Sequence, residues 1–189
     1  MPIQKVTKEE VVRQALLLFK KQGYHRTSMA DLAAACGLLK GSFYHYFPSK
    51  DALMSEVLKL VHSYFKEKVF PIAYDESLSP RQRLEKMISK KIKIVASTEG
   101  GCLMGNMAIE TALVTDEFLP QMRVFFEEYL QVLSHVYAYK YTPEEAQKLA
   151  EQAVVEYEGA WIMVKLTGKS RYLEDVLQRA VYRFDTHNL

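Results

Sequence analysis

Three times in this chain a hydroxyl residue is followed three positions later by an acidic one, just where an apolar 3.6-residue period begins: Thr7 with Glu10, Ser28 with Asp31, and Thr142 with Glu145. Each pattern is a helix N-terminus in which the two side chains satisfy each other's orphan amides. Ser79-Pro80 and Thr142-Pro143 add proline at a first helical position, where its fixed φ is already helical. No stretch alternates apolar and polar residues between hairpin turns, so strands are not expected. Breaks at Gly23, Gly37, Pro48, Pro71, Gly100-Gly101 and Gly168, with new starts at Asp116 and Thr142, then divide the chain into nine helices. The expected spans are 7–22, 28–35, 39–46, 50–70, 80–97, 103–113, 116–139, 143–168 and 171–185. Residues 71–79 read as a linker. Asp116 and Ser170 serve as further caps, and Pro120 is tolerated in a first turn. The fold class is all-α.

Composition narrows the functions open to such a chain. With 49% hydrophobic and 25% charged residues it is that of an ordinary globular protein. There is no run of about 18 apolar residues, so no membrane span is expected. "MPIQKVTKEEVV" lacks a basic region followed by an apolar stretch, so no secretory signal is expected. Two cysteines, Cys36 and Cys102, are too few for a disulfide framework. These readings place the chain in a reducing cytoplasm. His25, His45, His62, His135 and His187 show no metal-ligand spacing and no nucleophile–base unit, and no glycine-rich phosphate loop exists. An enzyme and a bound cofactor are therefore not expected. Residues 1–60 carry nine Lys and Arg against five Asp and Glu; the remainder carries sixteen against eighteen. A basic end on a near-neutral body suits a polyanion partner.

The stretch "LAAACGLLKGSFYHYFPSK", 32–50, joins two short helices through a tight turn. Ala33, Ala34 and Ala35 keep the first thin enough for a close crossing. Gly37 permits a left-handed turn, and Leu32, Leu38, Phe43 and Phe19 can fill the core beneath. Phe43 and Phe47, four apart, suit one buried face. Tyr44, His45 and Tyr46 cannot all share it. Their donors, with Lys40 and Ser42, suit phosphates and base edges in a major groove. Gly41 permits close approach to a backbone. Lys50, opening the next helix, can hold a phosphate with its ammonium and its amides.

"TSMADLAAACGLLKGSFYHYFPSKDAL" resembles the DNA-binding signature of the TetR family of transcriptional regulators, from about Lys8 to Leu60. The resemblance implies a two-domain regulator: an N-terminal three-helix helix-turn-helix domain, 1–49, connected by helix 50–70 to a helical ligand-binding and dimerisation domain within 50–189. It implies a homodimer formed through the last two helices on a pseudo-palindromic double-stranded operator, and most often a repressor released by a small-molecule effector. Family positions that touch DNA fall on Thr27, Ser28, Lys40, Gly41, Ser42, Tyr44, His45, Tyr46 and Lys50. Two departures stand out: Leu39 occupies a position that is often a polar N-cap, and Ala30 one that is often basic. The alternative is a helical ligand-binding or adaptor protein without operator-specific binding.

The body of the chain is less explicit. "EGGCLMGNMAIE", 99–110, resembles a segment from one branch of the family, some members of which answer to reactive small molecules. Cys102, after two glycines at a helix start, is either an activated thiol or a small buried hydrophobe. Met104, Met107, Met122, Phe125, Phe126, Tyr129, Tyr157 and Trp161 make an aromatic and thioether set, readable as core or as the wall of an apolar pocket. Glu110, Tyr129, Glu156 and Tyr157 supply its polar groups. The effector would then be apolar, aromatic or electrophilic. Small residues on 143–167 and 171–185, among them Ala146, Ala150, Ala153, Gly159, Ala160 and Ala180, suit close helix packing across a two-fold, and equally an intrachain core. "KKIKIV", 90–95, reads as a solvated helix face.

Overall fold

The computed structural model describes residues 6–97 and 99–186. His187, named among the five histidines, lies outside them. The described residues form nine α-helices and one 3-10 turn: α1 (Lys8–Gln22), α2 (Met29–Ala35), α3 (Lys40–Phe43), α4 (Lys50–Lys68), the 3-10 turn Phe70–Tyr74, α5 (Pro80–Ala96), α6 (Leu103–Thr111), α7 (Leu119–Tyr137), α8 (Pro143–Thr167) and α9 (Arg171–Thr186). No strand occurs among them. None of these helices is long and apolar enough to cross a membrane.

The capping patterns form as read. Thr7 and Glu10, Ser28 and Asp31, and Thr142 and Glu145 each close a reciprocal pair of hydrogen bonds. Ser79 adds a fourth with Gln82. Two boundaries differ from expectation. The segment 71–79 is not wholly a linker, because Phe70, Ile72 and Ala73 are buried in the 3-10 turn. That turn is held by Arg83, whose guanidinium donates to the Ala73 and Leu78 carbonyls. α7 opens at Leu119, not at Asp116, with Pro120 at its second position.

The chain divides into two compact units, one within Met1–His62 and Thr98–Met122, the other within Ser63–Ser97 and Arg123–Leu189. In the first, α1 packs on α2 and α6, and α2 on α3. Its core holds Val11, Ala15, Phe19, Leu32, Phe43, Phe47, Leu53, Met54, Val57 and Leu58, all with almost no exposure. In the second, α5 packs on the 3-10 turn and on α9, and α8 on α9. Leu84, Met87, Phe125, Tyr129, Tyr137, Ala150, Val176 and Ala180 are buried there. α4 and α7 are continuous helices whose residues fall partly in each unit.

Candidate nucleic-acid interface

The geometry of residues 37–50 follows from a helix that is barely a helix. α3 has four residues, fewer than the eight read from the sequence. Leu39 at its N-cap offers no side-chain acceptor, which leaves its first amides uncapped. Gly41 adds backbone freedom, worth about 1 kcal/mol against helix. Beyond Phe43 the chain goes on as turns, with the His45 amide donating to the Ser42 carbonyl and Tyr46 to Phe43. Gly37 takes the left-handed conformation at φ +66 that lets α2 turn into this segment.

Phe43 and Phe47 point inward and are buried, as their spacing predicts. The intervening positions therefore face outward: Lys40, Gly41, Ser42, Tyr44 and His45 are all exposed. A Cβ on Gly41 would meet nothing within 4 Å, so only open space adjoins that backbone. Ser28 is exposed as well, its hydroxyl engaged with Asp31, whose carboxyl it holds below the usual range. Tyr46 is half-buried, and its hydroxyl donates to the Val6 carbonyl at 2.8 Å.

Two predicted contact residues are placed differently from the rest. Thr27 is 1% exposed, and its hydroxyl donates to the Gly23 carbonyl at 2.7 Å, so its side chain presents no atom to a duplex in this conformation. Lys50 turns its ammonium onto Tyr24, 2.9 Å from the carbonyl oxygen and 4.1 Å from the ring centroid. Sequence reasoning did not single out Tyr24. Its hydroxyl donates to Asp51, its amide donates to Glu110, and its ring meets Phe19 and Phe118 edge-on or tilted. Burial, then the hydrogen bond to Asp51, pushes the Tyr24 phenol well above its ordinary value. Tyr24 therefore fastens the turn after α1 to the start of α4 and to α6.

The exposed row on α3 and the turn after it, backed by two buried phenylalanines, lies within the stretch that matches a known family. The profile of bacterial regulatory proteins of the tetR family matches residues 11–57. That of the LmrA/YxaF-like transcriptional regulator C-terminal domain matches residues 80–179. The chain belongs to the TetR family. It is therefore a helix-turn-helix transcriptional regulator. The regulator YxaF of Bacillus subtilis is 29% identical over 169 residues, 87% of either chain. The transcriptional repressor DhaR of Mycobacterium sp. strain GP1 is 28% identical over 125 residues, 66% of this chain and 62% of DhaR. A TetR regulator from Legionella pneumophila superposes with a TM-score of 0.85 at 27% identity, covering 95% of this chain and 97% of that one.

The residues read as an effector set in this TetR-family chain are shared between the two units. Cys102, Met104, Met107 and Glu110 belong to the first, and Phe125, Phe126, Tyr129, Tyr157 and Trp161 to the second. Cys102 is buried, and its Sγ accepts the Gly105 amide at 3.5 Å as the N-cap of α6. The Glu110 carboxylate is committed to the Tyr24 and His25 amides. Phe125, Tyr129, Tyr157 and Trp161 are buried, and Phe126 is half-buried. Glu156 accepts from Arg179 and Arg183, which hold its carboxyl below the usual range.

Lys91 corrects the reading of "KKIKIV" as a solvated face, because its side chain is 0% exposed. The signal was present in the spacing. Leu84, Met87, Ile88, Lys91 and Val95 share one helix face and are all buried.

Proposed function

We propose that the chain is a repressor that binds a pseudo-palindromic operator as a homodimer and is released by a small-molecule effector. The observation that carries this reading is the exposed row Lys40, Gly41, Ser42, Tyr44 and His45 on α3 and the turn that follows it. Lys40 supplies a cation for phosphate, and Tyr44 and His45 reach base edges while Ser28 meets the backbone at the start of α2. Each protomer places α3 in one major groove, and the half-sites lie one helical turn or more apart.

The homodimer reading is supported by α8, on which Val155, Ile162, Met163 and Leu166 remain exposed. Val155, Gly159, Ile162 and Leu166 lie four, three and four apart, forming one apolar stripe with a glycine that admits close approach. Tyr182 on α9 is exposed too. An effector held in the second unit shifts the balance between operator-binding and released conformations, and does so only through its differential affinity for the two. α4, which starts with Lys50 and ends among residues of the second unit, is the covalent link through which such a shift reaches the head.

Selection of bound duplexes from random DNA, followed by salt titration of the winner, tests the reading. A repressor of this kind yields a two-fold-symmetric site whose affinity falls steeply with salt. An unselective pool with flat salt dependence favours an adaptor instead.

A further inference from the structure

The second unit carries a cation in its interior. Lys91 on α5 places its ammonium 3.7 Å from the ring centroid of Tyr157 and 4.2 Å from that of Tyr129. It forms an ion pair with Glu158, with Nζ–Oε1 at 3.3 Å. The two members differ in burial: the lysine side chain is wholly withdrawn from water, whereas that of Glu158 retains 23% exposure. Beyond Tyr157, Trp161 stands edge-on to that ring at 6.4 Å. The Trp161 indole N–H is buried and makes no hydrogen bond. Beyond Tyr129 the rings continue: Phe70 stacks on it at 6.0 Å, and Phe125 lies 6.4 Å away.

These observations converge on one ligand chemistry. The buried Trp161 indole N–H lacks an acceptor, and the Lys91 ammonium holds an anionic one, Glu158, that is partly in water. The surrounding faces are aromatic and call for an apolar body. Glu158, being partly in water, is the acceptor most readily given up to solvent. We propose that the effector is a weak organic acid with an aromatic or apolar body, whose anion takes the place of Glu158 on Lys91 and accepts the Trp161 N–H. This rests on the ligand-responsive reading above and names the chemistry of that site. An organic cation is disfavoured because its charge would have to displace Lys91 from between the two tyrosines.

Trp161 is the one tryptophan of the chain, so its fluorescence reports the site directly. The test titrates the full-length protein with three probes sharing one body: 4-phenylbutyrate, its neutral primary amide and 4-phenylbutylamine. The proposal expects the carboxylate to bind at least about tenfold more tightly than the amide, with the amine weakest. Lys91→Met, isosteric and uncharged, keeps the fold and reduces that preference to about one. Lys91→Arg retains it. Trp161→Phe, followed by calorimetry, weakens the carboxylate more than the amide. Equal affinities, a preference for the amine, no binding by any probe, or a Lys91→Met protein with undiminished preference each overturn it.

A screen of neutral and cationic compounds for release of the selected operator separates the two readings. Release by such a compound, with no acid preference, leaves the ligand-responsive repressor standing and sinks the acid site. Failure of every compound, acids included, sinks both.

Discussion

The carboxylate of Glu110 on α6 accepts the backbone N–H of Tyr24, 86 residues earlier, at 2.9 Å. The same oxygen accepts the His25 amide at 3.3 Å, and the His25 ring nitrogen lies 3.1 Å from the Glu110 carbonyl oxygen. The turn between α1 and α2 has no helical partner for these amides, so a side chain distant in sequence supplies the acceptor. The same turn carries Gly23 at φ +83, where a Cβ would lie 2.9 Å from that carboxylate.

Removing the acceptor leaves two amides wanting. Glu110→Ala is expected to lower unfolding free energy by about 2 kcal/mol and to speed hydrogen exchange at Tyr24 and His25. Glu110→Gln, keeping one carbonyl acceptor, loses less. Denaturant unfolding and amide exchange measure both, and an unchanged exchange rate at Tyr24 would contradict the assignment.

Two glycines give opposite forecasts. Gly100 sits at φ +101 with its would-be Cβ 1.8 Å from the Lys20 carbonyl oxygen, so Gly100→Ala is expected to lose about 3 kcal/mol or more. Gly41 is helical with open space around it, and Gly41→Ala is expected to gain roughly 0.5–1 kcal/mol. If Gly41 serves close approach to a duplex, the same variant binds its operator more weakly while melting higher. Parallel thermal melts and duplex titrations distinguish the two effects.

Lys40 is exposed, whereas Lys50 is engaged with Tyr24. Lys40→Ala is expected to weaken binding on all sequences and to flatten the salt slope by about one. Lys50→Ala weakens binding and also loosens the Tyr24 turn, which shows as a lower melting temperature. Tyr44→Phe and His45→Ala change sequence preference as well as affinity, read by competition between duplexes. Equal slopes for Lys40→Ala and wild type would exclude Lys40 from the phosphate contacts.

An apolar stripe on α8 that joins two protomers does not tolerate charge. Ile162→Glu with Leu166→Glu is expected to convert the protein to a monomer by sedimentation and to weaken duplex binding by about tenfold or more, leaving helicity intact. A wild-type chain that is itself monomeric at working concentration would refute the dimer.

Glu156 links α8 to α9 through Arg183, with contacts at 2.6 and 2.8 Å, and through Arg179 at 3.1 Å. Hydrogen bonds from Arg183 hold its carboxyl below the usual range. A carboxyl whose pKa is lowered on folding stabilises fully above the unfolded value, about 4.3, and loses that contribution as pH falls through the folded value. Wild type is therefore expected to lose stability below that pH more steeply than Glu156→Gln. At neutral pH the variant is less stable by about 1–2 kcal/mol. Melts across the acid range test the sign.

Local chemistry determined which segments of this chain are helical and where several of them begin. Thr7, Ser28 and Thr142 bond to residues three positions away, so these caps are written in adjacent residues. The outward turn of Lys40, Ser42, Tyr44 and His45 was legible for the same reason, because Phe43 and Phe47 fix which side faces the core. Tertiary structure alone decided the rest. Nothing near Tyr24 in sequence announces that its amide needs Glu110, and nothing in a basic run announces that Lys91 would be enclosed by Tyr129 and Tyr157. Caps and faces depend on spacing within one helix; these pairings depend on which helices meet, and that is set by the packing of the chain.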